Sequence, residues 1–219
     1  HTASSDETNG YQDLLASKCI SILRVDPAEL SVEQVRVEII DGFLNKWGCR
    51  LAGKKHVDLA NRIANSIKDV TVHIKEDLQG LNDAKLIDSD LENSKQAIKN
   101  CYQEMAGIGN HFSHTAASKL LHMINPELFV MWDRPMRQSY QQNYRITADA
   151  AGYFDFMKKM QEGLKKISQS FLITHKGCPA DFLAEKLRIT SPKTLVKHLD
   201  EYNWITITKG VNLPPTWHP

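Results

Sequence analysis

The residues best suited to chemistry lie between positions 105 and 140 of this 219-residue chain. The Gly107–Gly109 turn (G-I-G) can end one helix and expose backbone N–H groups at the start of the next, where an anion such as phosphate binds. Further along, Asp133 follows the apolar run 128–132 and directly precedes Arg134-Pro135. A single carboxylate in that place could act in acid–base chemistry or could simply cap a helix. The local sequence leaves both roles open.

Helices must position these groups. The spacing of apolar residues predicts a helix that ends at Gly107 and a second helix that starts near Thr115. That second helix should stop at Asn125, because Pro126 excludes helical dihedrals from the residue before it. A third helix should start at Asp133. Earlier in the chain, Ser31-Val32-Glu33-Gln34 has the form of a capping box and predicts a helix with an apolar stripe running from Val32 to Trp47.

This arrangement resembles the helix-hairpin-helix DNA glycosylase superfamily. Gly107-Ile108-Gly109 stands at the G-(V/I)-G turn of that family, Thr115-Ala116 at its T-A helix start, and the run Phe129 to Asp133 at its F-P-I-x-D segment. The hairpin loop, residues 110–114, is longer than the loop of the family. The resemblance implies an all-α, glycosylase-like fold, with a helical domain at 11–175 and the hairpin and catalytic region at 98–140.

The same resemblance implies base-excision repair: hydrolysis of the N-glycosidic bond of a damaged base that is flipped out of double-stranded DNA. Asp133 would be the catalytic carboxylate, stabilising positive charge on the sugar and orienting water. Backbone and side chains of the hairpin would hold phosphate without reading sequence. The candidate DNA-binding residues are Gly107, Gly109, Asn110, His111, Ser113, His114 and Thr115.

Three further residues have alternative roles. Trp132 and Trp47 could stack on an extruded base or could simply be packed in the core. Lys119 lies one helical turn beyond the place where bifunctional family members carry a nucleophilic lysine, here His114-Thr115, and as a solvent-facing lysine it would have no such role. A monofunctional hydrolytic enzyme is therefore expected rather than a lyase.

No metal or cofactor is expected. The four cysteines are far apart and form no C-x-x-C pair, which argues against a zinc ribbon and favours buried thiols. His111, His114 and His122 have no carboxylate or cysteine at ligand spacing; the first two are expected to contact phosphate or cap the loop, and His122 to lie along the helix surface.

The C-terminal segment 176–219 has a helix-turn-helix pattern. Pro192 to Tyr202 predicts a helix, and Trp204 to Thr208 alternates like a strand, so the segment resembles a winged helix whose recognition face would carry Lys193, Thr194 and Lys197. From Lys158 to Lys209 ten basic residues face five acidic ones, a local charge of +5 that suits DNA or a solvated surface. Whether this segment is separate or completes the helical domain is left open.

Composition sets the remaining bounds. A hydrophobic fraction of 42% and a net charge of +1 are ordinary for a globular protein, and no apolar run is long enough for a membrane span. Residues 1–10 are expected to be a disordered tail. We expect a monomer, in the cytoplasm with the nucleoid or in the nucleus. The alternatives to a glycosylase are a non-catalytic DNA-binding protein that uses the hairpin and the C-terminal helix-turn-helix, and a helical protein-interaction module.

Overall fold

The structure of the chain, a computed structural model, describes residues 30–52, 56–109, 112–174 and 194–211. Every regular element in these ranges is helical, and none of their residues forms a strand, so the prediction of an all-α protein is confirmed. In chain order the helices are α1 (an α-helical turn Val32–Gln34 continued as a π-helix Val35–Leu44), α2 (Val57–His73), α3 (Lys75–Gly80), α4 (Lys95–Ala106), α5 (His114–Ile124), α6 (Arg134–Tyr144), α7 (Ala150–Thr174) and α8 (Leu195–Asn203, continued as a π-helix Trp204–Thr208).

The start of α1 confirms the predicted capping box. The Gln34 backbone N–H donates to Ser31 Oγ at 3.1 Å, and the Ser31 N–H donates to Gln34 Oε1 at 2.9 Å. The middle of the apolar stripe predicted for this helix is buried in the core, with Ile39 and Ile40 fully inaccessible, and its end residues Val32 and Trp47 are half-buried against that core. After the helix, Gly48 takes a φ of +77°, a conformation that glycine adopts without strain and that turns the chain away from the helix axis.

Helices α4 and α5 pack against each other, and α4 also packs along the long helix α7. Fully buried aromatic rings fill the space between them: Tyr102 stacks on Tyr153 with centroids 4.0 Å apart, and Trp132 stacks on Phe156 at 5.2 Å. Because each large ring removes a wide apolar surface from water, this cluster is a main source of stability at the centre of the fold.

The predicted strand at Trp204 to Thr208 is wrong, because this stretch continues the helix of α8. The Thr206 hydroxyl donates to the Tyr202 carbonyl at 2.8 Å, a bond to the residue four positions back that is typical of a helix and that an extended strand cannot make. A strand would need a partner strand for its backbone groups, and the described residues offer no sheet. The described part of the segment therefore does not have the strand that a winged helix requires.

The recognition face expected on this segment is also wrong in part. Lys197 is buried, 4% exposed, and its ammonium group pairs with Asp200 at 2.8 Å. Thr194 caps α8 and its hydroxyl donates to the Pro126 carbonyl at 3.0 Å, so it faces the helical body. Lys193 lies outside the described residues.

Candidate functional site

The turn between α4 and α5 has the geometry expected of the G-x-G pattern. Gly107 is the C-cap of α4 and Gly109 has a φ of +74°, while the side chain between them, Ile108, is buried. The Phe112 N–H donates to the Gly109 carbonyl at 2.8 Å and closes the turn. Both glycines are exposed, but the Gly107 N–H already donates to the Gln103 carbonyl at 2.9 Å within α4, so only the Gly109 N–H is offered to a ligand. Asn110 and His111 lie outside the described residues.

Helix α5 starts at His114, one residue before the predicted start. Ser113 is its N-cap, and its Oγ accepts from the Ala116 N–H at 3.3 Å. Ser113 is exposed, whereas His114 and Thr115 are half-buried and already have protein partners, described below. Of these three predicted DNA-binding residues, only Ser113 is freely presented to solvent.

The end of α5 is fixed by Asn125, which also positions the segment that follows. The helix stops there, as predicted from Pro126. The buried Asn125 amide donates to the carbonyls of Leu81 and Ala84 at 2.8 and 2.9 Å, and its Oδ1 accepts from the Leu128 N–H at 3.1 Å. One side chain therefore ties the α5 terminus to the turn after α3.

The apolar run 128–132 passes through the core and is held there by side-chain hydrogen bonds to its backbone. The Tyr153 hydroxyl donates to the Val130 carbonyl at 2.8 Å, and the backbone N–H of Trp132 donates to Ser118 Oγ at 2.9 Å. All five residues of the run are buried. This fixed segment delivers Asp133 to the surface at the start of α6.

Both oxygens of the Asp133 carboxylate accept hydrogen bonds within the protein. Oδ1 accepts from the Met136 N–H at 2.8 Å, so the capping role is confirmed. Oδ2 accepts from the Thr208 hydroxyl at 2.9 Å. Asp133 is half-buried. The contact with Thr208 joins two parts of the chain that no sequence pattern connects.

Arg137 is a site residue that the sequence reasoning missed. Its Nη1 donates to the Trp132 carbonyl at 2.6 Å and to Thr115 Oγ1 at 3.1 Å. Burial lowers the pKa of Arg137 from its usual value, while the nearby Tyr102 and Asp133 oppose that shift. The sequence signal that could have identified Arg137 is its spacing from Asp133, because residues four apart lie on the same face of a helix. Arg137 thereby joins the first turn of α5 to the backbone beside Asp133.

His114 faces this arginine from the start of α5. Its Nδ1 lies 3.1 Å from the Tyr102 hydroxyl, and the two rings stack with centroids 5.9 Å apart. Burial lowers the pKa of His114, and the positive charge of Arg137 lowers it further. The imidazole therefore favours its neutral form and is positioned by Tyr102, a second residue that the sequence reasoning missed.

The structure corrects the base-stacking role considered for Trp132. Its side chain is 0% exposed and lies among Tyr102, Tyr153 and Phe156. A base could not reach either face of the indole without unpacking the core. Trp132 is a core residue in this conformation, which is the alternative that the sequence had left open.

Trp47 and Lys119 form a separate group. The Lys119 ammonium donates to the Trp47 carbonyl, and Lys119 is half-buried rather than solvent-facing. The Trp47 ring stacks on Phe43 at 5.5 Å and carries the Lys197 ammonium 4.2 Å from its centroid. Because the ring has these protein partners, it does not present an open face to a base.

His122 does not lie along the helix surface, and that expectation is wrong. Its side chain is 0% exposed, and its Nδ1 lies 2.6 Å from the Phe129 carbonyl. Burial lowers the pKa of His122 to about 3, and the charge of Lys197 lowers it further. A neutral imidazole whose Nδ1–H donates to that carbonyl accounts for the geometry.

Three other features of the described residues complete the picture. No group of three or more His, Cys, Asp or Glu side chains is arranged to hold a metal ion in these ranges. Cys101 is buried and Cys49 half-buried, and both are free thiols. None of the helices in the described ranges is long and apolar enough to span a bilayer.

The fold and the site define an all-α protein built around a helical hairpin, with a capping carboxylate at the start of the helix that follows. We find no match to this chain among protein-family models, curated proteins or solved structures.

Proposed function

We propose that this protein is a monofunctional DNA N-glycosylase of the helix-hairpin-helix type, with Asp133 as its catalytic carboxylate. One arrangement carries the proposal: Arg137 donates to both the Thr115 side chain and the Trp132 carbonyl, at 3.1 and 2.6 Å. These bonds hold the N-terminus of α5, where a phosphate would bind, in a fixed relation to the carboxylate that would act on the adjacent nucleotide.

The chemistry follows from the carboxylate. As the bond between the sugar C1′ and the base nitrogen breaks, its electron pair leaves with the base and positive charge develops on the sugar. A carboxylate fixed by the Met136 N–H can stabilise that charge. Water then adds to C1′ and gives up a proton to Asp133 or to solvent. The Thr208 hydroxyl oxygen lies 2.9 Å from Oδ2 and donates to it. This contact shows that Oδ2 can orient an oxygen atom, such as that of the attacking water, at hydrogen-bond distance.

The partner in this proposal is double-stranded DNA with a damaged base. The hairpin would contribute the exposed backbone N–H of Gly109 and the side chain of Ser113 as phosphate contacts, whereas the Gly107 N–H is used within α4. The neutral His114 can donate one further hydrogen bond to a phosphate oxygen through its second ring nitrogen. These contacts position the duplex without selecting a sequence.

A specific observation favours a second candidate, a non-catalytic DNA-binding protein. Both Asp133 oxygens are hydrogen-bonded within the protein, and the tryptophan beside Asp133 is buried. In that case the carboxylate is a helix cap that also anchors Thr208, and the hairpin alone grips the duplex.

The test is base release from duplexes that carry oxidised guanine, uracil, hypoxanthine or alkylated adenine, with wild type and Asp133→Asn in parallel. Asparagine also caps helices, so the variant should remain folded. We expect base release to fall about a hundredfold or more, because the charge that stabilises the sugar cation is lost. Strand breaks should appear only after alkali, since no lysine attacks the sugar.

Asp149→Asn is the matched control. Asp149 caps α7 through the Gly152 N–H at 2.8 Å, as Asp133 caps α6, but its side chain is exposed. Its variant should keep full activity. Wild-type protein that binds every duplex and releases no base would contradict the glycosylase and support the second candidate. Breaks without alkali would contradict the monofunctional mechanism.

A further inference from the structure

Helix α6 carries a regular polar stripe on its outward face. Arg134, Gln138 and Gln141 are spaced by four and three residues, which places them on one side of the helix, and Arg145, the left-handed C-cap residue, follows at its end. All of these residues are exposed, whereas Met136 and Tyr140 on the opposite side are buried. We call this set the α6 stripe.

The two arginines of the α6 stripe have no ion-pair partner within the described ranges. Some exposed basic side chains are paired, such as Lys159 with Glu162 at 2.9 Å and Lys85 with Glu127 at 3.5 Å, whereas Arg50 and Arg62 also have no ion-pair partner in the described ranges. The helix itself contains no acidic residue. The stripe therefore presents uncompensated guanidinium charge together with side-chain amides.

The position of the stripe is as informative as its composition. Arg134 directly follows Asp133, so the stripe begins at the candidate carboxylate and at the positive end of the helix dipole. From Arg134 to Arg145 the helix rises about 16 Å, at about 1.5 Å per residue. Each strand of duplex DNA carries a phosphate about every 3.4 Å of helix axis, so the arginines can reach separate phosphates.

We propose that the α6 stripe is a second DNA-contacting surface, distinct from the hairpin, which binds the duplex beside the nucleotide held at Asp133. Arg134 and Arg145 contact phosphates, and Gln138 and Gln141 face a groove, where glutamine can bond the edge of adenine. Positive charge with planar donors complements a phosphate backbone. The inference rests on the DNA partner of the proposed function and not on catalysis.

The test uses the full chain with the double variant Arg134→Gln/Arg145→Asn. Arg145 has a φ of +57°, a conformation that asparagine tolerates well, so the backbone should be unaffected. Binding to one undamaged duplex is measured across a range of salt concentrations. We expect the affinity at low salt to fall about tenfold and the slope of log K against log salt to become shallower by about 2.

The matched control is Arg62→Gln/Arg50→Asn. Arg62 is exposed on α2, and Arg50 is exposed with a φ of +51°, so the pair removes the same charge from the same two backbone conformations. The control should bind with the slope of the wild type. An unchanged slope in the stripe variant, or an equal loss in both variants, would overturn the inference. Binding to single-stranded DNA of the same sequence is measured in parallel. A loss of affinity for the single strand alone, with duplex affinity unchanged, would also overturn the inference.

Base release measured at saturating protein separates this inference from the proposed function. Base release should remain measurable in the stripe variant once it is bound, and should be lost in Asp133→Asn, because only the latter removes the carboxylate. Reduced duplex affinity in a protein that releases no base would leave the stripe supported and the glycosylase contradicted. Normal base release with an unchanged salt slope would contradict the stripe alone.

Discussion

At the scale of the single residue, burial decides the protonation state of His122 on α5. His122 is fully enclosed, next to the Phe129 carbonyl and near the charge of Lys197, and its pKa is lowered to about 3. The unfolded chain has a histidine pKa near 6.5. Between these two pH values His122 is protonated in the unfolded chain but neutral in the folded one. The contribution of His122 to folding stability is therefore fully present above about pH 6.5 and is lost as the pH falls toward 3.

This linkage predicts a measurable pH dependence of unfolding. Between pH 6.5 and pH 5 the free energy of unfolding should fall by about 1.6 kcal/mol through His122, with a slope that approaches about 1.4 kcal/mol per pH unit below pH 6. In His122→Asn the amide can still donate to the Phe129 carbonyl but does not titrate. Urea unfolding at both pH values should show a smaller loss for this variant. Equal losses in wild type and variant would place the acid sensitivity elsewhere.

At the scale of the element, the α4–α5 hairpin depends on a single backbone conformation. Gly109 has a φ of +74°, and a Cβ built there would meet no atom within 4 Å. Glycine is therefore required at this position because of the left-handed backbone conformation, and not because a side chain would collide with its neighbours. Because Ile108 and Phe112 on either side are buried, the turn cannot relax without disturbing the core.

Gly109→Ala should destabilise the protein by about 1 kcal/mol, the approximate strain of a left-handed alanine. The control is the same substitution at Gly163, in the middle of α7, where a Cβ also meets nothing within 4 Å. There alanine should stabilise by about 0.5 to 1 kcal/mol, because it is the better helix former. Thermal or urea unfolding measures both. Effects of the same sign would refute the conformational explanation.

At the scale of the whole molecule, α8 is attached to the helical body by a few buried polar contacts. The Lys197–Asp200 pair is buried at 4% and 5% exposure, with its ammonium 4.2 Å from the centre of the Trp47 ring. Asn203 donates to Met160 Sδ on α7 at 3.1 Å, and Thr208 reaches Asp133. These contacts join the C-terminal segment to the turn after α1, to the start of α6 and to α7, and so complete the surroundings of Asp133.

The buried pair makes a prediction of non-additivity. Lys197→Met should destabilise by about 3 kcal/mol or more, because Asp200 would remain buried without its charged partner. Lys197→Met/Asp200→Leu, which replaces both charges by apolar groups, should recover most of that loss. Urea unfolding of the two single variants and the double variant closes the cycle. Additive losses would show that the two charges are not coupled.

Much of the helical framework could be predicted because helix ends are local. Pro126 restricts the residue before it, Gly109 allows a positive φ, and Ser31 and Asp133 supply oxygens to nearby N–H groups. Each of these effects acts within a few residues. The hairpin, the apolar run and the position of Asp133 at a helix start were accordingly predictable. The catalytic role of Asp133 stays a prediction.

What the sequence by itself determined is the all-α class, the helix ends around the hairpin and the capping carboxylate, because backbone restrictions and side-chain caps act over short distances. Only the tertiary structure decided that Thr208 meets Asp133, that Arg137 joins Thr115 to Trp132, and that His122 is buried. It also decided that Trp204 to Thr208 is helical, although its β-branched residues favour a strand. These outcomes depend on which helices pack together and bury their side chains away from water. Residue spacing within a single helix does not reveal such contacts between segments that are far apart in sequence.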